Sequence, residues 1–256
     1  MAPRCAASTG VRPLNLWCLV PAAGSGSRMG SATPKQYLPL CGRPLLAWTL
    51  DALLELEPAG LLLVLAPGDD RAAAADWIDP RVEQITEGGA DRAASVLAGL
   101  QRLRGRAGAD DWVVVHDAAR PCIEPELVRT LLAQVAAHPD GGLLAVPVAD
   151  TVKQAGPLSK GAGRCTAAVE RTLDRQGLWL AQTPQAFPFA RLLLALESAR
   201  DAGRTLTDEA AAIEAIGGAP LLVPGSVANL KVTRPEDLPL AEFWLRQRGA
   251  GRDEQR

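Results

Sequence analysis

Short apolar runs alternate with longer amphipathic stretches along the chain. The first run, Leu16–Val20, is bounded by Pro21, and its length and boundary predict a buried strand. Further strand-like runs follow at Leu61–Ala66, Arg81–Thr86, Trp112–His116, Leu143–Val148 and Leu221–Val223. Between them, helices are predicted at Pro44–Leu56, Asp69–Trp77, Arg92–Leu103, Pro125–Ala137, Phe189–Ala202 and Asp208–Ile216. A last helix is expected at Pro235–Arg246, with proline in its first turn. This alternation predicts an α/β, Rossmann-like domain: a mostly parallel sheet covered by helices on both faces. Ligands of such sheets bind beyond the carboxyl ends of the strands.

One stretch breaks the rhythm. Thr151–Arg175 is polar, contains Gly156, Gly161 and Gly163, and lacks helical periodicity. A structureless loop of that length is uncommon inside a compact domain, so a protruding β-ribbon arm is expected. The organisation expected is a disordered N-terminal extension (1–14), one domain (15–248) carrying the arm (151–175), and a frayed C-terminus (249–256).

The chemistry concentrates after the first strand, in Pro21-Ala22-Ala23-Gly24-Ser25-Gly26-Ser27-Arg28-Met29-Gly30, continuing to Pro34-Lys35-Gln36-Tyr37. Glycines at 24, 26 and 30 let the backbone turn tightly and approach a ligand. Backbone N–H groups in such a loop can converge on an anion, and Arg28 and Lys35 add cations without a local carboxylate. The guest this suggests is a polyphosphate. The loop is not a P-loop, because no Gly-Lys-Ser/Thr follows. Taken alone, it also fits a shifted dinucleotide fingerprint or a plain turn.

Composition narrows the classes. The 256 residues carry 27 Lys plus Arg against 29 Asp plus Glu, which argues against a general nucleic-acid or membrane surface. Five scattered cysteines with no metal-ligand spacing predict reduced thiols in the cytoplasm and no protein-held metal. No apolar run approaches membrane-spanning length, and residues 1–14 lack the apolar core of a signal peptide.

Two more segments carry candidate chemistry. Gly88-Gly89-Ala90-Asp91-Arg92-Ala93-Ala94-Ser95-Val96 places two glycines and a hydroxyl at a helix start. Val113-Val114-Val115-His116-Asp117-Ala118-Ala119-Arg120-Pro121 delivers an acid and a base to the end of a buried strand. Each alone also fits a Gly-Gly turn or an Asp–Arg salt bridge. Smaller pieces follow at Ala149–Lys153, Leu173–Arg175, Gln182–Phe187, Thr207–Ala210 and Asn229–Thr233, with Thr207 at an expected helix N-cap.

Together, P-A-A-G-x-G-x-R-M, P-K-Q-Y, G-G-x-x-R-x-x-S-V and V-H-D-A-A-R-P resemble the 2-C-methyl-D-erythritol 4-phosphate cytidylyltransferase family, from about Leu16 to Leu245. The resemblance implies a nucleotidyltransferase that joins CTP to a polyol phosphate for isoprenoid precursors. It implies nucleotide contacts from Ala22, Ala23, Gly24, Gly89, Ala90, Ser95 and Ala118, and acceptor contacts from Asp117, Arg120, Thr151, Thr183 and Thr207. Arg28, Lys35, Arg175 and Lys231 would be the catalytic cations, with Mg²⁺ held mainly by the CTP phosphates. Relatives often carry an acidic residue where Ala90 stands. Base selectivity survives the change if backbone groups read the base, and is lost if a carboxylate does. His116 is expected to make a structural hydrogen bond rather than transfer protons. The resemblance further implies a homodimer in which the arm completes the partner's active site.

Three rivals stand beside this reading. A cytidylyltransferase for another polyol phosphate, such as ribitol 5-phosphate, would keep the loop and change the acceptor pocket. A dinucleotide oxidoreductase would want an acidic end to the second strand, where Ala66-Pro67-Gly68 stands instead. A non-catalytic nucleotide-binding protein would have no need of the cation set.

Overall fold

The computed structural model describes residues 14–24, 33–157, 159–161 and 164–253. The elements run β1 (Leu16–Pro21), a 3-10 turn (Lys35–Tyr37), β2 (Pro39–Leu40), β3 (Arg43–Pro44), α1 (Leu45–Leu54), β4 (Gly60–Val64), α2 (Asp70–Ala73) and β5 (Val82–Ile85). They continue through α3 (Arg92–Arg102), β6 (Trp112–Val115), α4 (Pro125–Val135), β7 (Gly142–Pro147), β8 (Val152–Ala155), β9 (Ser159–Gly161) and β10 (Arg164–Thr166). The last are β11 (Val169–Leu173), β12 (Trp179–Pro188), α5 (Phe189–Asp201), α6 (Glu209–Ala215), β13 (Leu221–Pro224) and α7 (Asp237–Asp253).

A seven-stranded sheet of order β13-β7-β12-β6-β1-β4-β5 forms the centre. Its neighbours pair in parallel, except that β12 runs antiparallel to both β6 and β7. The apolar strands are continuous because both faces are covered. On β1, Cys18 and Val20 join a core with α1 and α4, while Trp17 and Leu19 join one with α3, α5 and α6. The chain builds outward from β1 to β4 and β5, then returns to add β6 on the other side of β1. That reversal opens a crevice at the carboxyl ends of β1 and β6. A third cluster seats α7 on the β2–β3 hairpin through Leu40, Leu45, Val232, Ala241 and Leu245.

The excursion is a β-ribbon: β8 pairs antiparallel with β11, and β9 with β10. The β2–β3 hairpin was not predicted, and Pro44, expected to open a helix, belongs to β3; β12, α2 and α7 also depart from the pattern in sequence. β12 was not predicted, because Gln182, Thr183 and Gln185 give it polar centres, and its pairing is irregular between Ala181 and Gln185. α2 is one turn rather than nine residues, capped by Asp69, since a run of alanines offers little apolar face to bury. α7 continues to Asp253, past Arg246.

Candidate active site

A cleft opens at the crevice. Its first wall is the end of β1. The Ala22 N–H donates to the Val64 carbonyl at 2.8 Å, and buried Gln36 donates to the Ala22 carbonyl at 2.8 Å. The entry to the Gly-rich loop is therefore held from two sides. Lys35 starts the 3-10 turn and donates to the Val232 carbonyl at 3.3 Å, which sets it beside Lys231. Arg28, with Gly26 and Gly30, lies outside the described residues, as do residues 1–13.

The second wall is the turn between β5 and α3. Asp91 caps α3 by accepting from the Ala94 N–H at 2.8 Å. The Ser95 hydroxyl donates to the Asp91 carbonyl at 2.9 Å and accepts the Gly89 N–H at 3.1 Å. A Cβ on Gly88 would strike the Leu65 carbonyl oxygen, and one on Gly89 would strike the Ala94 side chain. The close approach of these chains requires glycine at both positions. Ala90 lines the cleft and brings no carboxylate.

The third wall carries the charge. Asp117 follows β6 and is buried. Its Oδ1 accepts from Arg92 Nε at 2.8 Å, its Oδ2 lies 2.8 Å from Lys231 Nζ, and Arg120 Nε is 3.5 Å away. Burial opposes its ionisation, but Arg92, then Lys231 and Arg120, outweigh burial and hold the carboxyl well below the usual range. Arg120 donates to the Asn229 carbonyl at 2.7 Å, and Asn229 donates to the Thr183 carbonyl at 2.7 Å. Arg92 also grips Glu209 at the start of α6, with 2.5 and 3.0 Å contacts to its two oxygens.

Behind this wall, His116 is fully buried. The Arg120 carbonyl 3.2 Å from its Nε2 can only accept, so Nε2 carries the proton. Nδ1 then accepts from the Thr183 hydroxyl at 3.1 Å, and that hydroxyl accepts the Asp117 N–H at 3.0 Å. Burial lowers the imidazole to about 4, so it is neutral at physiological pH. Its role is to fix the turn that presents Asp117, as expected of a structural group.

Ala22, Ala23, Gly24, Lys35, Gly89, Ala90, Ser95, Asp117, Ala118 and Lys231 thus line one cleft. Arg120 and Thr183 lie buried behind it. Thr207 is exposed just before α6, and the N-cap is Asp208, not Thr207. The Asp208 carboxylate accepts from the Ala211 N–H at 2.9 Å and from Gln185 at 2.9 Å, so the charged acceptor takes the helix end. Thr151 and Arg175 sit at the root of the arm, where Arg175 donates to the Ala149 carbonyl, away from the cleft of their own chain. The sequence reading assigned no role to Arg92, Glu209, Gln36 or Asn229. Arg92 did carry a signal: a cation in the first turn of a helix opposes the macrodipole, and so needs a partner.

Among the described residues, no group of three or more His, Cys, Asp or Glu could hold a metal ion, and no helix is long and apolar enough to cross a membrane.

Backbone turns and cations gathered at the reversal point of a mostly parallel sheet define an α/β protein of the nucleotidyltransferase type. The family profile of 2-C-methyl-D-erythritol 4-phosphate cytidylyltransferase (IspD) matches residues 16–247. Enzymes of that name from Azoarcus sp. (strain BH72) and Laribacter hongkongensis (strain HLHK9) are 50% and 51% identical to this chain. Each alignment covers 91% of this chain, with 94% and 97% of the respective relative. A crystal structure of 4-diphosphocytidyl-2C-methyl-D-erythritol synthase superposes with a TM-score of 0.76 at 35% identity, covering 91% of this chain and 99% of that one. The chain belongs to the 2-C-methyl-D-erythritol 4-phosphate cytidylyltransferase family, whose reaction is CTP-dependent cytidylyl transfer in isoprenoid synthesis.

Proposed function

We propose that this cleft transfers the cytidylyl group of CTP to 2-C-methyl-D-erythritol 4-phosphate, giving 4-diphosphocytidyl-2-C-methyl-D-erythritol and pyrophosphate. The observation that carries the reading is the meeting of Lys35, Lys231 and Asp117 with the Gly89–Ser95 turn around one crevice, with Arg120 buried behind Asp117. An oxygen of the acceptor phosphate attacks the α-phosphorus of CTP, the bond to the bridging oxygen breaks, and pyrophosphate leaves. The nucleophile is already ionised, so no general base is required. The barrier is the approach of an anion to a polyanion. Catalysis is then positioning and charge stabilisation at an in-line phosphoryl centre.

Each wall has a part in that scheme. Ala22–Gly24 and Ala118 approach the triphosphate and ribose, while Gly89, Ala90 and Ser95 read the cytosine edge. Lys35 and Arg28 stabilise the charge that grows on the α-phosphate and the leaving group. Lys231, steadied by Asp117, faces the acceptor, and buried Arg120 backs Asp117 from behind. Mg²⁺ would enter with the nucleotide, where it would neutralise phosphate charge while asking few ligands of the protein.

The arm supports a shared site in a homodimer. Val169, Leu178 and Leu180, on or beside it, are 61%, 39% and 58% exposed, apolar area that a second copy would cover. Thr151 and Arg175 of one copy would then reach the acceptor phosphate in the other, with Thr207 as a further contact. The scattered thiols, with Cys18, Cys41 and Cys122 free, agree with a reducing cytoplasm. The test is ³¹P NMR of a mixture of enzyme, CTP, Mg²⁺ and the acceptor. Coupled diphosphate signals of the new P–O–P link, with free pyrophosphate, are expected. CTP left intact beside a folded enzyme would overturn the reading.

A further inference from the structure

Arg92 occupies the first turn of α3 and Glu209 the first turn of α6. The N-terminal ends of two helices from different parts of the chain are thereby tied together by one buried ion pair. Glu209 is 1% exposed, and a carboxylate so deeply buried is costly unless it is fully paired. Its pairing is complete: both oxygens accept from Arg92, at 2.5 and 3.0 Å. The Nε–H of that guanidinium goes to Asp117 at 2.8 Å. Arg92 therefore faces two carboxylates, whereas Lys231 shares only one of them.

This difference separates two kinds of cation in one cleft. A guanidinium with a free fork beside bound CTP would take phosphate oxygens bidentately. Arg92, with its fork held by Glu209, offers Asp117 a single fixed N–H and leaves the other Asp117 oxygen to Lys231.

We propose that Glu209 is a positioning residue for the acceptor subsite: by holding the Nη1–Nη2 fork of Arg92 it fixes Asp117, and through Asp117 it fixes Lys231. It touches neither substrate. The inference rests on the cytidylyltransferase reading above and adds to it a residue whose loss damages acceptor use while sparing nucleotide binding. Without Glu209, the Arg92 fork is released to take both Asp117 oxygens, which pulls Asp117 from Lys231.

The test uses the full-length enzyme and the variants Glu209→Gln, Arg92→Gln, the double variant, and Arg92→Lys. CTP dissociation constants are measured without acceptor, and kcat and KM with it. Glu209→Gln is expected to raise the KM for 2-C-methyl-D-erythritol 4-phosphate about tenfold or more, while the CTP dissociation constant stays within about threefold. The double variant should be no worse than Arg92→Gln alone, because Glu209 acts only through Arg92. Arg92→Lys, which keeps the charge and loses the fork, should show the same split and serves if Glu209→Gln does not fold. Additive losses in the double variant, or an acceptor KM unchanged in Glu209→Gln or in Arg92→Lys, would overturn the proposal. Wild-type enzyme assayed in parallel keeps the two ideas apart. If it binds CTP but does not turn over this acceptor, the functional reading fails and the positioning claim with it. If it turns over and the variants show no split, only the positioning claim fails.

Discussion

Lys231 Nζ lies 2.8 Å from Asp117 Oδ2, across the crevice between the end of β6 and the segment that follows β13. The two residues are far apart in sequence and meet only in the folded chain. Their contact lets a buried carboxylate hold a half-exposed cation at a fixed place, with its charge reduced but not cancelled. The adjacent Val232 carbonyl accepts from Lys35, so two cleft lysines are referenced to one stretch of backbone.

Lys35 is expected to matter for rate more than for folding. It is half-buried at the cleft wall, and its ammonium reaches the backbone beside Lys231. Lys35→Ala should lower kcat about a hundredfold or more, the usual cost of a preorganised electrostatic group. The thermal midpoint should change little. Unchanged turnover in the folded variant would remove Lys35 from the mechanism.

The buried His116 predicts a pH dependence of stability. Its folded pKa, about 4, lies below its ordinary value of 6.5. The unfolded chain therefore binds a proton that the fold refuses between those values, and stability falls as pH drops from about 6.5 to 4. The shift corresponds to about 3 kcal/mol across that window. Urea titrations of wild type and His116→Gln at stepped pH should show a shallower slope in the variant. Equal slopes would mean that His116 is not the group responsible.

The sheet was largely legible in the sequence because its strands are short, apolar and closed by Pro or Gly. Leu16–Val20 and Trp112–His116 are buried on both faces, and that shows as unbroken hydrophobic runs. β12 was not legible. Its polar centre exists to hydrogen-bond the site, Thr183 to His116 and Gln185 to Asp208, and that use hides the strand pattern. The cleft residues after β1, β5 and β6 stood out through glycines and charges clustered at strand ends. Glu209 did not, since an acidic residue in a first helical turn is ordinary, and only its tertiary partner Arg92 makes it unusual.

Base selectivity is predicted to reside in the backbone of the Gly88–Ser95 turn rather than in the side chain at position 90. The Asp91 cap and the Ser95 hydroxyl fix that turn internally. CTP should therefore exceed UTP and ATP in kcat/KM by about a hundredfold or more, since the wrong base leaves fixed polar groups unpaired. Comparable values for CTP and ATP would contradict the assignment.

The arm makes a complementation experiment possible. Lys35→Ala and Arg175→Ala subunits, unfolded and refolded together in equal amounts, should pair at random to give about half heterodimers. If Arg175 acts across the interface, each heterodimer holds one intact site, and activity should return to about a quarter of wild type. No activity above that of the separate variants, with heterodimers demonstrated, would place Arg175 in its own chain's site.

The central claim is that the cations around Asp117 accept one particular polyol phosphate while the Gly89–Ser95 turn holds CTP. It is tested most directly by pyrophosphate release from CTP with a panel of acceptors, among them 2-C-methyl-D-erythritol 4-phosphate and ribitol 5-phosphate, each as kcat/KM on one enzyme preparation. The account predicts that the methylerythritol phosphate leads every other acceptor by about a hundredfold or more, the discrimination available when a polar site is matched to one set of hydroxyls. Equal or faster pyrophosphate release with ribitol 5-phosphate, or none with any acceptor, would contradict it.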